Sequence, residues 1–224
     1  MLESRFVLTI ETHCHTNASG DCLVRPEDLI ARCRARGIDK VIITDHNTIA
    51  GALVAKQIDP DRVIVGEEIY TKKGELLVAF VQEEVPPWLE PEEAIHRLRE
   101  QGAFISVSHP FDVMRAGHWK LPDLLAIAPL VDAIEIFNAR CLLPAYNQRA
   151  KEFAAEHGLN GTSGSDAHTL MELGRAAMVV NEFNDADGLL KVVTGAQYKT
   201  SRSGLGVRLA SRFAALRAKL ANKT

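Results

Sequence analysis

The sequence predicts an α/β fold in which a largely parallel sheet closes into a barrel. Predicted strands and helices alternate over the whole chain, which is typical of this fold class. Most of the strands are continuous apolar runs, as expected for a parallel sheet that helices cover. The 224 residues suit one barrel-sized domain, and no linker or low-complexity stretch divides them.

Three predicted helices begin with proline and end in glycine. They run from Pro26 to Gly37, from Pro91 to Gly102 and from Pro144 to Gly158. Proline suits the first turn of a helix because its missing N–H donor would have no partner there. Glycine accepts the left-handed conformation that often ends a helix.

The predicted strands lie before, between and after these helices. They cover residues 6–12, 41–44, 62–65, 76–81, 104–107, 133–137 and 160–163. The count of about seven strands matches the usual lengths of strands and connections. We therefore expect a barrel over residues 1–202.

Residues 203–224 differ from the rest of the chain in carrying five basic residues and no acidic one. Their apolar residues lie on one helical face: Leu205, Leu209, Phe213, Leu216 and Leu220. We interpret this segment as an amphipathic helix that packs on the barrel or extends from it, with a solvated basic face. The alternative is a contact surface for a polyanion or a partner helix.

The overall composition favours a cytoplasmic protein that does not enter a membrane. Apolar residues make up 46% of the chain and charged residues 25%, and the net charge is −3. This charge gives no reason to expect extensive nucleic-acid binding. The four cysteines form no CxxC pair, which fits a reducing compartment. We find no signal-like segment and no apolar run of the ~18 residues that a membrane span needs.

Five of the eight histidines come directly after predicted strands. They are His13, His15, His46, His109 and His168. Carboxylates stand at similar positions: Asp45 beside His46, Glu67 and Glu68 after the third strand, and Asp166 near His168. In a barrel of alternating strands and helices, the carboxyl ends of the strands meet on one face. These side chains should therefore lie together in space.

The spacing His13-x-His15 has a geometric meaning. Residues i and i+2 of an extended chain point to the same side, so both imidazoles can reach one cation while Cys14 points away. Imidazole combined with carboxylate is typical of zinc, manganese or iron sites. The candidates exceed what one ion needs, which indicates two or three ions, an arrangement that suits phosphoester hydrolysis.

Several of these residues have simpler interpretations. A lone His-x-His pair is weak evidence for a metal, because buried histidines usually satisfy hydrogen bonds. Asp45 points away from its neighbour His46 and is expected to orient ligands rather than to bind metal. Alternation alone does not choose between Glu67 and Glu68. His118 lies in a predicted loop, where it could contact substrate.

Five short motifs resemble those of the polymerase-and-histidinol-phosphatase (PHP) superfamily of metal-dependent phosphoesterases. They are ETHCHTNAS, ITDHNT, VGEE, VSHP and GSDAH, in the family's order along the chain. The resemblance covers the chain from Glu11 to about Val180. It implies a distorted seven-stranded (β/α)7 barrel of PHP type, with the metal site at the carboxyl ends of the strands.

The resemblance also implies a set of site residues. The metal ligands would be His13, His15, Asp21, His46, Glu68, His109, Asp166 and His168. Matching to the third motif selects Glu68 over Glu67. The catalytic residues would be His13, His15, Asp166, His168 and Arg140. Asn138 and Arg140 could face the substrate, with Arg140 as a phosphate clamp or, equally, as part of a structural ion pair.

One position departs from the family pattern. Many members carry a further histidine at the start of the strand after the third motif, where this chain reads KKGELLVAF, with Leu76 near that position. Glu75 could substitute as a ligand, or one metal position could be depleted. The expected cofactors are therefore two or three divalent ions of manganese, zinc or iron.

These features predict a metal-dependent phosphoric ester hydrolase. A hydroxide that bridges the metals would attack a phosphomonoester or phosphodiester. The expected substrate is a small phosphorylated molecule: a nucleotide, a short oligonucleotide or another metabolite such as histidinol phosphate. The alternatives are an amidohydrolase that cleaves C–N bonds, and a non-catalytic, regulatory metal-binding domain. The oligomeric state stays open.

Overall fold

The computed structural model describes residues 7–204 and residue 206. The prediction of a basic helix over residues 203–224 falls almost entirely outside this part of the chain. Within the described residues, no helix has the length and apolar character needed to cross a bilayer.

Within the described residues, nine strands form one sheet. They are β1 (Val7–Cys14), β2 (Lys40–Ile43), β3 (Val63–Tyr70), β4 (Glu75–Ala79), β5 (Phe104–Val107), β6 (Ala133–Asn138), β7 (Asn160–Gly164), β8 (Ala176–Asn181) and β9 (Gln197–Thr200). Their order in the sheet is β7-β6-β5-β4-β3-β2-β1-β8-β9. All seven predicted strands are present, and β8 and β9 add an antiparallel extension beside β1.

Two strands continue further than their sequence patterns indicate. The first was expected to end at Thr12, but β1 runs to Cys14 because it still pairs there with Ile43 of β2. The third was expected to end at Val65, but β3 runs to Tyr70 because its last five residues pair with β4. Pairing with a neighbouring strand therefore draws ligand-bearing residues into the strands themselves.

The expectation of a largely parallel sheet is wrong for β4. This strand is antiparallel to both of its neighbours, β3 and β5. Only residues 71–74 join β3 to β4, and the backbone N–H of Thr71 donates to the carbonyl of Gly74 at 2.9 Å. So short a turn can join only antiparallel strands, since a parallel connection needs a crossover of a dozen or more residues.

The sheet curves until β7 lies beside β1, which nearly closes a barrel. The side-chain hydroxyl of Thr12 donates to the carbonyl of Ser163 at 3.0 Å. Just beyond β7, the N–H of Asp166 donates to the carbonyl of His13 at 2.7 Å, and the N–H of His15 donates to that of Ala167 at 2.9 Å. The chain has the distorted α/β barrel that its sequence predicts.

In the part of the chain that the structure describes, six α-helices connect the strands. They are α1 (Pro26–Arg36), α2 (Ala50–Ile58), α3 (Pro91–Glu100), α4 (Leu121–Ile127), α5 (Pro144–His157) and α6 (Ala186–Val193). A short 3-10 turn (Ala128–Leu130) follows α4. The three predicted proline starts are confirmed. Gly37 and Gly158 adopt left-handed conformations, with φ of 63° and 65°, and end α1 and α5.

Apolar residues cover both faces of the central strands. Val41 and Ile43 of β2 belong to a large cluster that also contains Leu29 of α1. Ile42, between them, belongs to a second cluster, to which α6 contributes Leu189. Burial on both faces explains why these strands read as continuous apolar runs rather than as alternating ones.

Candidate metal centre

The predicted histidines and carboxylates lie at one rim of the barrel. His13 and Glu68 lie near the ends of β1 and β3, and His46, His109 and Asp166 follow β2, β5 and β7. These strands run in the same direction, so their carboxyl ends meet at this rim. Strand direction thus brings together residues that are far apart in the sequence.

The Glu68 carboxylate lies at the centre of the cluster. Its Oε1 is 3.4 Å from His13 Nε2 and 3.1 Å from His109 Nε2. Its Oε2 is 3.6 Å from His15 Nε2 and 3.0 Å from His46 Nδ1. Each carboxylate oxygen therefore faces two imidazoles, which is the arrangement expected of a carboxylate shared between two cations.

Glu67, the alternative to Glu68, lies outside this cluster. Its side chain is buried, and its Oε2 accepts a hydrogen bond from the N–H of Val85 at 3.5 Å. Burial raises the pKa of Glu67 to about 8. The structure therefore places Glu68, and not Glu67, among the histidines.

A second part of the cluster lies on the more open side. The rings of His15 and His168 are 4.2 Å apart, and those of His15 and His46 are 4.5 Å apart. Asp21 approaches both outer rings, with Oδ2 at 3.1 Å from His168 Nε2 and Oδ1 at 3.7 Å from His46 Nε2. The Asp21 side chain is 35% exposed, so solvent reaches the cluster from this direction.

Glu75 joins the cluster because β4 runs opposite to its neighbours. It is the first residue of β4, so it lies at the rim where the other strands end. Its Oε2 is 3.3 Å from His109 Nε2, and the side chain is buried. Burial, with repulsion from Glu68, raises the pKa of Glu75. The carboxylate thus stands in the region where the family pattern has a further histidine.

The donor atoms suit divalent cations. Three groups each bring their ligand atoms within 4.8 Å of one another: His15, His46 and His168; His13, His15 and Glu68; and Glu68, Glu75 and His109. Within the described residues, each of the following has one buried ring nitrogen or carboxylate oxygen without a hydrogen-bond partner: His13, His15, Glu68, Glu75 and Asp166. Buried polar atoms are normally satisfied, so the unpaired atoms at this rim fit a bound divalent cation. Imidazole and carboxylate fit zinc, manganese or iron.

Asp166 occupies a constrained position beside the cluster. Its φ of 53° is in the left-handed region, and the backbone bond from its N–H to His13 holds it there. Its Oδ1 is 3.5 Å from His15 Nε2. Burial opposes ionisation, but Arg115 and His13 hold the pKa of Asp166 well below its usual range. Asp166 is therefore a charged carboxylate at the cluster.

Glu135 orients the ligands from behind, and sequence reasoning did not identify it. Its Oε1 is 2.9 Å from His13 Nδ1, and its Oε2 accepts hydrogen bonds from the His109 N–H at 2.9 Å and from Asn138 Nδ2 at 3.1 Å. A carboxylate on the far nitrogen of a histidine fixes its tautomer and orientation. The available signal was an acidic residue inside the apolar strand β6.

Glu11 and Asp45 are two further buried carboxylates that hold the ligand loops. Glu11 accepts hydrogen bonds from the N–H groups of His13 and Ser165, and burial raises its pKa to about 7. Asp45 accepts hydrogen bonds from the side-chain hydroxyl groups of Thr16 and Ser19, each at 2.6 Å. Asp45 thus holds the loop that follows His15, and its orienting role stays a prediction, whereas sequence reasoning missed Glu11.

Asn138 and Arg140 lie at the same rim but are already engaged. Asn138 Nδ2 donates to Asp166 Oδ2 at 3.1 Å. Arg140 is 8% exposed, with Nη1 at 2.6 Å from His168 Nδ1 and Nε at 3.3 Å from Glu172 Oε1. These contacts correspond to the ion-pair interpretation of Arg140. Its contact with a phosphate stays a prediction.

Arg115 is a second cation at the rim that the sequence did not reveal. Its Nη2 contacts Asp166 Oδ2, and its Nε is 3.3 Å from Asp112 Oδ2. Its side chain is 21% exposed. His118, three residues on, places Nδ1 at 2.7 Å from the Arg115 carbonyl and is in none of the three donor groups. Both residues belong to the loop between β5 and α4.

Comparison with known proteins identifies the family. The PHP domain model matches residues 11–113, and the PHP-associated model matches residues 144–197. The chain belongs to the PHP family. Family membership, together with the donor groups at the barrel rim, supports a metal-dependent hydrolase.

Two relatives show how far the sequence similarity extends. An uncharacterised protein of Methanocaldococcus jannaschii is 33% identical over 181 residues, which cover 79% of this chain and 72% of that protein. A 5'-3' exoribonuclease of Haemophilus influenzae is 37% identical over 65 residues, 27% of this chain and 23% of that protein.

A solved structure of similar fold is a two-domain protein of Bacteroides vulgatus that contains a predicted PHP-like metal-dependent phosphoesterase. It superposes with a TM-score of 0.68 at 18% identity, over 89% of this chain and 66% of that one. At this identity the superposition supports the fold alone.

Proposed function

We propose that this PHP protein hydrolyses phosphoesters with the help of two or three divalent cations. The proposed ligands are His13, His15, Asp21, His46, Glu68, Glu75, His109, Asp166 and His168. One observation carries the proposal: each oxygen of the buried Glu68 carboxylate faces two imidazoles. A single cation does not need so many donors, whereas clustered cations suit the in-line displacement of a phosphoester.

Glu75 bears on the number of cations. With His109 and Glu68 it forms the third donor group, beside β4. We propose that Glu75 acts as a ligand there, so that this position is filled rather than depleted. The family's usual histidine would then be replaced by a negatively charged oxygen donor, which favours manganese or iron(II) over softer cations.

The surrounding residues would prepare the cluster for an anionic substrate. Glu135 accepts a hydrogen bond from Nδ1 of His13, which leaves the Nε2 lone pair of His13 for a cation. When bound, the cations would supply Lewis acidity, which lowers the pKa of water and neutralises charge on a phosphate. Arg115 and Arg140 both approach Asp166, where their guanidinium groups could engage phosphate oxygens.

The first experiment measures metal content and substrate class on the purified chain. We expect at least two equivalents of manganese, iron or zinc per chain by elemental analysis, and hydrolysis in a panel of phosphomonoesters and phosphodiesters supplemented with manganese. Less than one equivalent of metal per chain would contradict the proposal. Turnover of amides or deaminable bases without turnover of phosphoesters would indicate an amidohydrolase instead.

Histidine variants test the ligand assignment. His13→Ala and His15→Ala should each lose metal and phosphoester hydrolysis together, because each removes a donor that faces Glu68. His96→Ala is the matched control, since His96 is 70% exposed on α3 and pairs only with Glu100 among the described residues. Full metal content in the His13→Ala protein would contradict the assignment.

A further inference from the structure

A cleft of about 380 Å³ lies beside the metal centre, between the β3–β4 turn and the loop before α4. Aromatic and basic side chains line it: Tyr70, Trp88, Lys72, Lys73, His118 and Lys120. Its volume is in the range of small-ligand pockets.

The cleft borders the metal centre directly. The ring of Tyr70 lies 5.7 Å from that of His46. On the opposite wall, Gly117 lies so close to the Glu75 carboxyl group that a Cβ there would come within 2.1 Å of it. Tyr70 and the Glu75–Gly117 contact therefore form a wall that the cleft shares with the metal centre.

Trp88 presents an aromatic surface to the cleft. Its side chain is 60% exposed, which is unusual for so large an apolar group. The residue has a φ of 65°, a strained conformation for tryptophan, and its N–H donates to the Tyr70 carbonyl at 2.7 Å. The Trp88 and Tyr70 rings lie 5.4 Å apart and are tilted by 31°. Strain at an exposed aromatic residue is a feature of binding sites rather than of cores.

The other side of the cleft carries three lysines and one carboxylate, that of Asp123. Lys72 pairs with Glu90 at 2.9 Å, and Lys73 pairs with Asp123 at 3.5 Å. Both lysines are about half exposed, and exposed pairs of this kind are weak, so the ammonium groups can exchange these partners for a phosphate. Lys120 is exposed at the same opening.

From this geometry we propose that the cleft binds the nucleotide adjacent to the scissile phosphate of a single-stranded oligonucleotide. The base stacks on Trp88 and Tyr70, and the next phosphate meets Lys72 and Lys120. Aromatic side chains combined with a basic groove are how proteins bind single strands without sequence preference. The base must be unstacked from its neighbours, so a duplex does not fit this site. The inference rests on the proposed phosphoesterase function.

Binding can be measured on the full chain with its metals and a phosphorothioate pentathymidylate, which resists hydrolysis. The chain has two tryptophans, and Trp119 is buried, so Trp88 is the one that a base can quench. We expect saturable quenching in the wild-type protein and its loss in Trp88→Phe. Quenching that persists in Trp88→Phe would overturn the assignment of the base to Trp88.

An abasic pentamer of the same charge separates stacking from phosphate binding. By fluorescence anisotropy, Trp88→Ala should bind the pentathymidylate about tenfold more weakly and the abasic pentamer unchanged. Lys72→Ala with Lys120→Ala should weaken both probes and reduce their salt dependence. Lys191→Ala on the distant helix α6 is the matched control and should change neither.

Hydrolysis of a small phosphoester distinguishes this inference from the proposed function. The wild-type protein and the Lys191→Ala control should both hydrolyse it. Equal wild-type affinity for the two pentamers, with small-ester hydrolysis intact, would overturn the cleft proposal alone. Base-dependent binding without hydrolysis of any phosphoester would leave the cleft as a binding site and overturn the proposed function.

Discussion

At the scale of single residues, the site depends on buried carboxylates that do two different jobs. Glu68 and Glu75 face the imidazoles inside the cluster, whereas Glu135, Glu11 and Asp45 hold the ligand loops from behind. A carboxylate without a partner is costly to bury, so each one must meet donors or a cation. Glu135, Glu11 and Asp45 meet this need by accepting hydrogen bonds from backbone and side-chain donors. Glu68 and Glu75 each keep one buried oxygen without a hydrogen-bond partner, which we propose binds a cation.

The role of Glu135 can be tested by a nearly isosteric change. Glu135→Gln removes the charge that orients His13 through Nδ1, so we expect metal affinity to fall by about 10- to 100-fold. Titration with a competing chelator measures this. Glu156→Gln, an exposed position on α5, is the control. An unchanged affinity in Glu135→Gln would contradict an orienting role.

At the scale of elements, the reversed strand β4 determines how the cluster is completed. A parallel strand would bring its last residue to this rim, whereas the antiparallel β4 brings its first residue, Glu75. The loop between β5 and α4 then closes over Glu75, and the Glu75 N–H donates to the Gly117 carbonyl at 3.1 Å. Strand direction and loop approach together define one wall of the metal centre.

The close approach of this loop gives a second prediction. Gly117→Ala would place a Cβ against the Glu75 carboxyl group and push that flexible side chain out of position. We expect less bound metal per chain, with a stability loss of no more than ~1–3 kcal/mol, as for a small overpacking change. Elemental analysis and chemical denaturation measure the two effects.

Gly195→Ala is the matched control for this change, because a Cβ at Gly195 meets nothing within 4 Å. It should keep the full metal content. If Gly117→Ala also kept the full metal content, Glu75 would not be a ligand.

At the scale of the whole molecule, the cluster exists only when the barrel is closed. His13 and Asp166 come from β1 and from the segment after β7, and they meet through the backbone bonds that join these two edges of the barrel. A cation bound by residues from several strands therefore stabilises the folded state and not the unfolded one.

Metal removal tests this link between binding and folding. At a free metal concentration 100-fold above the dissociation constant, binding contributes about 2.7 kcal/mol. Chelation should therefore lower the melting temperature by roughly 5–10 °C for a chain of this size. Differential scanning calorimetry with and without manganese measures the shift. His13→Ala should melt at the same temperature in both conditions, and a shift of wild-type size in this variant would contradict the link.

The sequence by itself determined the architecture and most of the candidate donors. Apolar runs, proline starts and glycine ends act locally, so they predicted seven strands and three helices. The histidines were recognisable because each stands at a strand end, and strand ends converge in this fold. The choice of Glu68 over Glu67 came from the motif, and the structure places Glu68 within reach of four imidazoles.

Only the tertiary structure decided which residues complete and surround the cluster. Glu75 enters it because β4 is reversed, and strand direction depends on pairing with neighbours rather than on local sequence. Arg115 carries no local signal, and that of Glu135 is only an acidic residue within the apolar strand β6. Their roles arise from contacts with Asp166 and His13, more than 50 residues away. Periodicity and motifs carry information only about residues that are close together in the sequence. Contacts between distant segments exist only once the barrel has closed.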